Sequence, residues 1–206
     1  MTKSLYVAAF LIVSVSCGCN SSSGSGNGEE MYKGIPSTAY TIAENDSVIV
    51  FLNDEAIEDS IDGLPPLKQV SLWSYHKNKK EGRKILLSHP HTNMAFLNME
   101  HSVSIPLDSI PTITKVTILS WPNEPLKLLV EGCSDYRNVE SFIINEDSDS
   151  AICLPTSRGL IGVSEEDGLL IMQSYDYYED GGRYNIIEAF DVKGIRVSSM
   201  NAKTRN

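Results

Sequence analysis

The run GLLIMQSYDYYEDGGRYNIIEAFDVKG, Gly168 to Gly194, decides how this chain is read. Leu169 to Tyr177 and Tyr184 to Val192 are rich in aliphatic and aromatic residues of the kind that pack across strands, so each reads as a β-strand. "EDGGR" between them reads as a turn, because Gly181-Gly182 supply the positive φ that such a loop needs. Lys193-Gly194 then reads as a tight turn into a further strand. Four tyrosines, Tyr175, Tyr177, Tyr178 and Tyr184, are therefore first of all parts of a hairpin. Alternation sets Tyr175 and Tyr177 on one face and Tyr178 on the other. Exposed members of the set, beside Arg183, would form a surface for a protein or a glycan, since aromatic and Arg side chains are enriched where binding energy concentrates.

Working outward, no long segment carries the apolar i, i+3, i+4 spacing of an amphipathic helix, while short β-branched and aromatic runs recur along the chain. The expected class is all-β. A weak repeat joins the runs: "VSLWSY" at Val70, "VTILSW" at Val116 and "LIGVS" at Leu160, followed by "KILLS", "KLLVE" and "LLIMQ". Next come "AFLN", "SFII" and "AFDV", which place Phe96, Phe142 and Phe190 in register, 46 and 48 residues apart. "VSIPL", "AICLP" and "IRVSS" close the units. The expectation is three four-stranded antiparallel meanders over 66–109, 113–155 and 159–199, inside a domain spanning 36–200 with a short tail at 201–206. Units of this size resemble β-propeller blades. Three units and an N-terminal hairpin, Ala39 to Leu52, fall short of the four blades that usually close a propeller, so a β-sandwich, another closed β fold or a homodimer of three-bladed halves are the alternatives.

The first thirty residues read differently. Lys3 precedes an apolar run from Leu5 to Val15, too short for a spanning helix of about 20 residues but laid out as a secretory signal. Ser14-Val15-Ser16-Cys17 resembles the lipobox of bacterial lipoproteins. That resemblance implies cleavage after residue 16, acylation of Cys17, a flexible Ser/Gly/Asn tether over 17–35, and an extracytoplasmic protein held at the outer membrane or periplasmic face. Cys19, preceded by Gly18, is the alternative frame.

The formal charge of −10 argues against nucleic acid, whose phosphates call for clustered Lys and Arg. The basic group His76 to Lys84 is expected to be a solvated hairpin tip. Cys133 and Cys153 fall on alternate strands, about 9–10 Å apart against the roughly 7 Å limit between Cα atoms of a disulfide, so free thiols are expected. No nucleophile elbow, zinc helix pair or phosphate loop is present, and Ser74-x-x-Lys77 matches an acyl-enzyme motif without its partner motifs. His89 and His91, two apart, are the best metal candidates, although Pro90 lies between them. The acidic runs Asn145–Ser150, Glu165–Asp167 and Tyr175–Asp180 read as solvated turns. Asp-Ser followed by Val, Ile or Ala occurs at Ser47, Ser60, Ser109 and Ser150, where composition predicts roughly one copy. The triplet resembles the acceptor motif of a general O-glycosylation system in one group of Gram-negative bacteria.

These readings converge on a non-catalytic, lipid-anchored binding or scaffold protein of the cell envelope. It would need no cofactor and would meet a protein or glycan. An immunity or inhibitor protein against a toxin or hydrolase, recruited by charge, is the second expectation. A metal-dependent hydrolase at His89 and His91 is the third. If Cys17 is the anchor, Cys17→Ser abolishes incorporation of labelled palmitate and Cys19→Ser leaves it intact; the reverse result moves the anchor to Cys19.

Overall fold

The computed structural model describes residues 32–56, 68–88, 101–107, 112–121, 125–133, 139–148 and 150–202. All of them belong to one compact unit, Met31–Asn206. Among the described residues thirteen strands form three antiparallel sheets, with no α-helix. The first sheet is β1 (Tyr40–Glu44), β2 (Val48–Ala56), β3 (Lys68–His76) and β4 (Glu81–Ser88), in that order. The second runs β5 (Val103–Pro106), β9 (Ser150–Leu154), β8 (Val139–Asn145), β7 (Lys127–Cys133), β6 (Thr112–Leu119). The third is β10 (Gly159–Ser164), β11 (Leu169–Tyr177), β12 (Arg183–Asp191) and β13 (Arg196–Ala202).

The second and third meanders match the sequence reading strand for strand. The first does not. "VSLWSY" is the third strand of its sheet, behind the Ala39–Leu52 hairpin, and "VSIPL" leaves it to pair with β9 as a fifth strand of the second sheet, Ile105 opposite Ala151. Similarity between alternating strands records which residues face a core; it carries no information about a strand's place in its sheet. "AFLN" and Phe96 lie outside the described residues, as do residues 1–31 with Cys17 and Cys19.

The sheets are stacked face on face, and side-chain alternation assigns each layer its neighbour. Val50, Leu52 and Leu72 of the first sheet share a buried cluster with Leu128, Val130, Phe142 and Ile144 of the second. The intervening residues Leu129 and Ile143, with Leu154, face the other way and join Leu170, Met172 and Phe190 of the third. Both faces of the second sheet are therefore core. Phe142 and Phe190, in equivalent third strands, are each fully buried against the preceding sheet. At about 1.5–3 kcal/mol for each large side chain removed from water, these two layers carry the fold.

The outer face of the first sheet is covered by the chain's own Tyr32–Ala39 segment. The Tyr32 ring meets Phe51 and Tyr75 at centroid distances of 5.1 and 4.8 Å, Thr38 Oγ1 donates to Asn53 Oδ1 at 2.6 Å, and Gly82 N–H donates to the Lys33 carbonyl at 2.8 Å. Ile49, Phe51 and Asn53 are buried beneath it.

The turn between β12 and β13 seats the third sheet on the second. Asp191 Oδ1 accepts from the Lys193 and Ile195 N–H groups, and Ser102 Oγ donates to the Gly194 carbonyl. Gly194 has φ of 77°, and a Cβ there would stand 2.5 Å from Ile152 Cγ2. Gly181, at φ 91°, has nothing within 4 Å of such a Cβ. Gly194→Ala therefore combines a left-handed strain of about 1–2 kcal/mol with an overpacking cost of about 1–3 kcal/mol, whereas Gly181→Ala carries the strain alone. At about 2–4 °C per kcal/mol for a domain of this size, thermal unfolding should show Gly194→Ala losing more degrees than Gly181→Ala, by about a further 2 °C at least.

Candidate functional site

The end of the β11–β12 hairpin gathers the aromatic residues singled out in the sequence. Register pairs Tyr175 with Asn185 and Tyr177 with Arg183 on the outward side, and Asp176 with Tyr184 on the side turned to the second sheet. The hairpin loop closes with Tyr178 N–H donating to the Gly182 carbonyl at 3.1 Å. Two ring pairs result. Tyr175 and Tyr177 meet edge to face at 5.6 Å, and Tyr178 and Tyr184 meet at 4.9 Å with planes tilted by 52°. The split by strand face is the one that alternation predicts.

Tyr175 also lies between two cations. The Arg158 guanidinium stands 4.8 Å from its ring centroid and that of Arg183 5.5 Å. A cation within about 6 Å of an aromatic face is attracted by the ring quadrupole, by about 0.5–1 kcal/mol where exposed. Arg158 was not singled out in the sequence: it precedes β10, and it reaches the hairpin because its N–H donates to the Gln173 carbonyl at 3.0 Å. Tyr177 is 63 % exposed. Tyr184 Oη donates to Asp176 Oδ2 at 3.0 Å, and that carboxylate holds the phenol above its ordinary pKa. The outward result is a Tyr/Arg platform with one aromatic ring open to solvent and its cations already positioned.

A second polar constellation, invisible in sequence, bridges the first and second sheets. Ser74 and His76 follow Val70 and Leu72 on the inward face of β3 and meet Glu146, just past β8. Ser74 Oγ donates to Glu146 Oε1, and His76 Nε2 lies 2.7 and 3.0 Å from the two carboxylate oxygens. Arg83 pairs with Asp147 alongside. Pro125, Leu126 and Asn145–Ser148 line an adjoining open recess of about 310 Å³. Serine and histidine both address the carboxylate here. In an acyl-transfer relay the histidine must instead reach the serine hydroxyl, so the arrangement clamps two sheets together. Lys77, the other half of the Ser-x-x-Lys match, donates to Glu44 and to the Asn45 carbonyl.

Other sequence candidates fall as follows. His89 and His91 lie outside the described residues; among those described, no group of three or more His, Cys, Asp or Glu side chains is placed to hold a metal ion. Ser47 is exposed in the β1–β2 turn, and Ser150 opens β9 half-buried, with its N–H donating to Ser148 Oγ. Ser60 and Ser109 are not among the described residues. The basic tip is a four-residue turn, Lys77–Lys80, as expected. No described helix is long and apolar enough to cross a membrane.

No family model matches the chain, and no curated protein or solved structure matches it either.

Cys153 is a free, buried thiol. Strand β8 separates its strand from that of Cys133, the geometry that argued against a disulfide. Burial, with the Glu140 carboxylate adding to it, pushes the Cys153 thiol from about 9 up to about 12. The fold thus favours the neutral thiol: its contribution to stability is complete below the ordinary value and is lost as pH rises from about 9 towards about 12. Maleimide should leave Cys153 unlabelled in the native protein at neutral pH and label it on denaturation, as peptide mapping would show; native labelling would mean that the second sheet opens.

Proposed function

We propose that this chain is a non-catalytic binding or scaffold protein of the cell envelope, tethered by lipid at Cys17, whose binding surface is the outward face of the third sheet. One observation carries this reading: the Tyr175–Tyr177 platform, with Arg158 and Arg183 flanking Tyr175, on a sheet face that no described segment covers. Rigid aromatic rings with positioned guanidiniums are the side chains on which binding energy concentrates. A protein or glycan partner suits such a surface, and the acidic charge of the chain suits neither nucleic acid nor an anionic membrane face.

The propeller-like architecture belongs to the same proposal. Meanders stacked face on face, the second and third burying Phe142 and Phe190 of their third strands against the preceding sheet, support an open three-blade stack over a two-layer sandwich. Such a fold carries no function by itself; the surface does.

Crosslinking of the tagged full-length chain in cells tests the surface. Tyr177→Ala and Arg183→Ala should each reduce recovery of the captured species by about tenfold or more, the loss expected when a binding hot spot is truncated. Cys17→Ser should abolish recovery by mislocalisation. Unchanged recovery in both surface variants would remove this face as the binding site.

A further inference from the structure

The two ends of the stack are not alike. The first sheet's outer face is capped by Tyr32–Ala39. The third sheet's outer face has no such cap among the described residues. The large hydrophobic side chains left exposed are Tyr32 and Tyr40 at the first end and Ile161, Val163, Tyr177, Ile195, Val197 and Met200 in the third sheet and its turns; register sets Tyr177 and Met200 on the outer face and Val163, opposite the buried Leu170, on the inner one.

Register defines what this face presents. Gln173 pairs with Ile187 and Ile187 with Met200, while Ile171 pairs with Ala189 and Ala189 with Ser198. Met200 is 67 % exposed. Aliphatic side chains thus occupy the middle of the face, with the Tyr/Arg platform at one end. Carboxylates are nearly absent from it, in a chain with 27 acidic residues. The acids of β11 and β12 take the opposite side: Asp176 bonds Tyr184, and Glu188 accepts from Ser174 Oγ at 3.1 Å and Arg196 Nη1 at 2.9 Å. Asp191, at the strand end, is engaged in its own turn.

We infer that this face binds a second copy of the chain, third sheet against third sheet, with equivalent strands of the two copies running in opposite directions. The inference rests on the reading of this face as the binding surface and names its partner. Three observations lead to it. A ring of blades would need the third sheet to meet the first sheet of another copy, and the Tyr32–Ala39 cap occupies that place; self-pairing of the uncapped face is the closed, isologous solution. Four strands about 4.8 Å apart, each roughly eight residues of about 3.3 Å, span on the order of 500 Å², so two faces remove on the order of 1,000 Å², the size at which a specific interface begins. Charge selects the orientation. Arg158 and Arg183 stand at the hairpin end, with Glu179 and Asp180 in the loop beyond the strands, while Glu165, Glu166 and Asp167 are exposed in the turn at the opposite end. Opposed strands set each arginine end against the other copy's acidic turn; parallel strands would set arginine against arginine.

The unit Met31–Asn206 holds all thirteen strands and both core clusters, so it contains what its fold requires, and sedimentation velocity on it tests the pairing. The wild-type unit should be dimeric at micromolar concentration. Met200→Glu, at an exposed position that leaves the fold intact by its circular dichroism and melting temperature, should weaken the dimer by about tenfold or more. Arg183→Glu should weaken it too, and Glu166→Arg added to Arg183→Glu should restore it. A dimer indifferent to Met200→Glu, or one that the charge exchange fails to restore, overturns the arrangement. A monomer overturns it as well; if in-cell crosslinking still loses a captured species of another mass in Tyr177→Ala, the face remains a binding surface for a different molecule. A monomer with crosslinking unaffected by Tyr177→Ala removes both readings.

Discussion

Burial of the second sheet on both faces is the constraint from which the rest of the structure follows. An antiparallel sheet that packs on one side alternates apolar and polar residues; one covered on both sides needs apolar residues at consecutive positions. Leu128-Leu129-Val130 and Phe142-Ile143-Ile144 supply them, and each residue is almost completely removed from water. Neither the first nor the third sheet can meet water on its inner side without exposing half of these runs. The two outer sheets are held in place by the same six side chains, acting in opposite directions.

Polar groups then decide how the layers are oriented. Hydrophobic burial is large but non-directional, and it tolerates sliding of one sheet over another. Glu131 reaches from β7 to accept from the Leu160 N–H at 2.8 Å and pairs with Lys115 at 2.9 Å, fixing the start of the third sheet on the second. The Ser74–His76–Glu146 clamp does the same between first and second. Each such bond contributes about 1 kcal/mol net, less than a single buried leucine, and its importance is positional.

The two outermost faces of the stack differ. Covering the first sheet with Tyr32–Ala39 satisfies Asn53 and shields Phe51 and Tyr75, while the third sheet keeps a mostly apolar, acid-poor surface with arginines and tyrosines at one end. A chain of net charge −10 that sends the acids of this sheet to turns and to its inner side, and Arg158 and Arg183 to its outer side, has an electrostatic asymmetry suited to selective contact rather than to general solubility.

Local order in this protein is set by the sequence alone. The strands, the Gly181-Gly182 hairpin, the Gly194 turn, the splitting of the tyrosines between faces and the separation of Cys133 from Cys153 all follow from two-residue alternation and turn chemistry, which act between near neighbours. The consecutive apolar runs of the second meander also carry the signal for a middle layer. Sheet membership of the first and fifth strands, the approach of Arg158 to Tyr175, and the meeting of Ser74 and His76 with a carboxylate about seventy residues away were settled only by tertiary structure. Those contacts depend on which sheet stacks on which, and a repeating strand pattern is degenerate in that respect because any apolar face can cover any other.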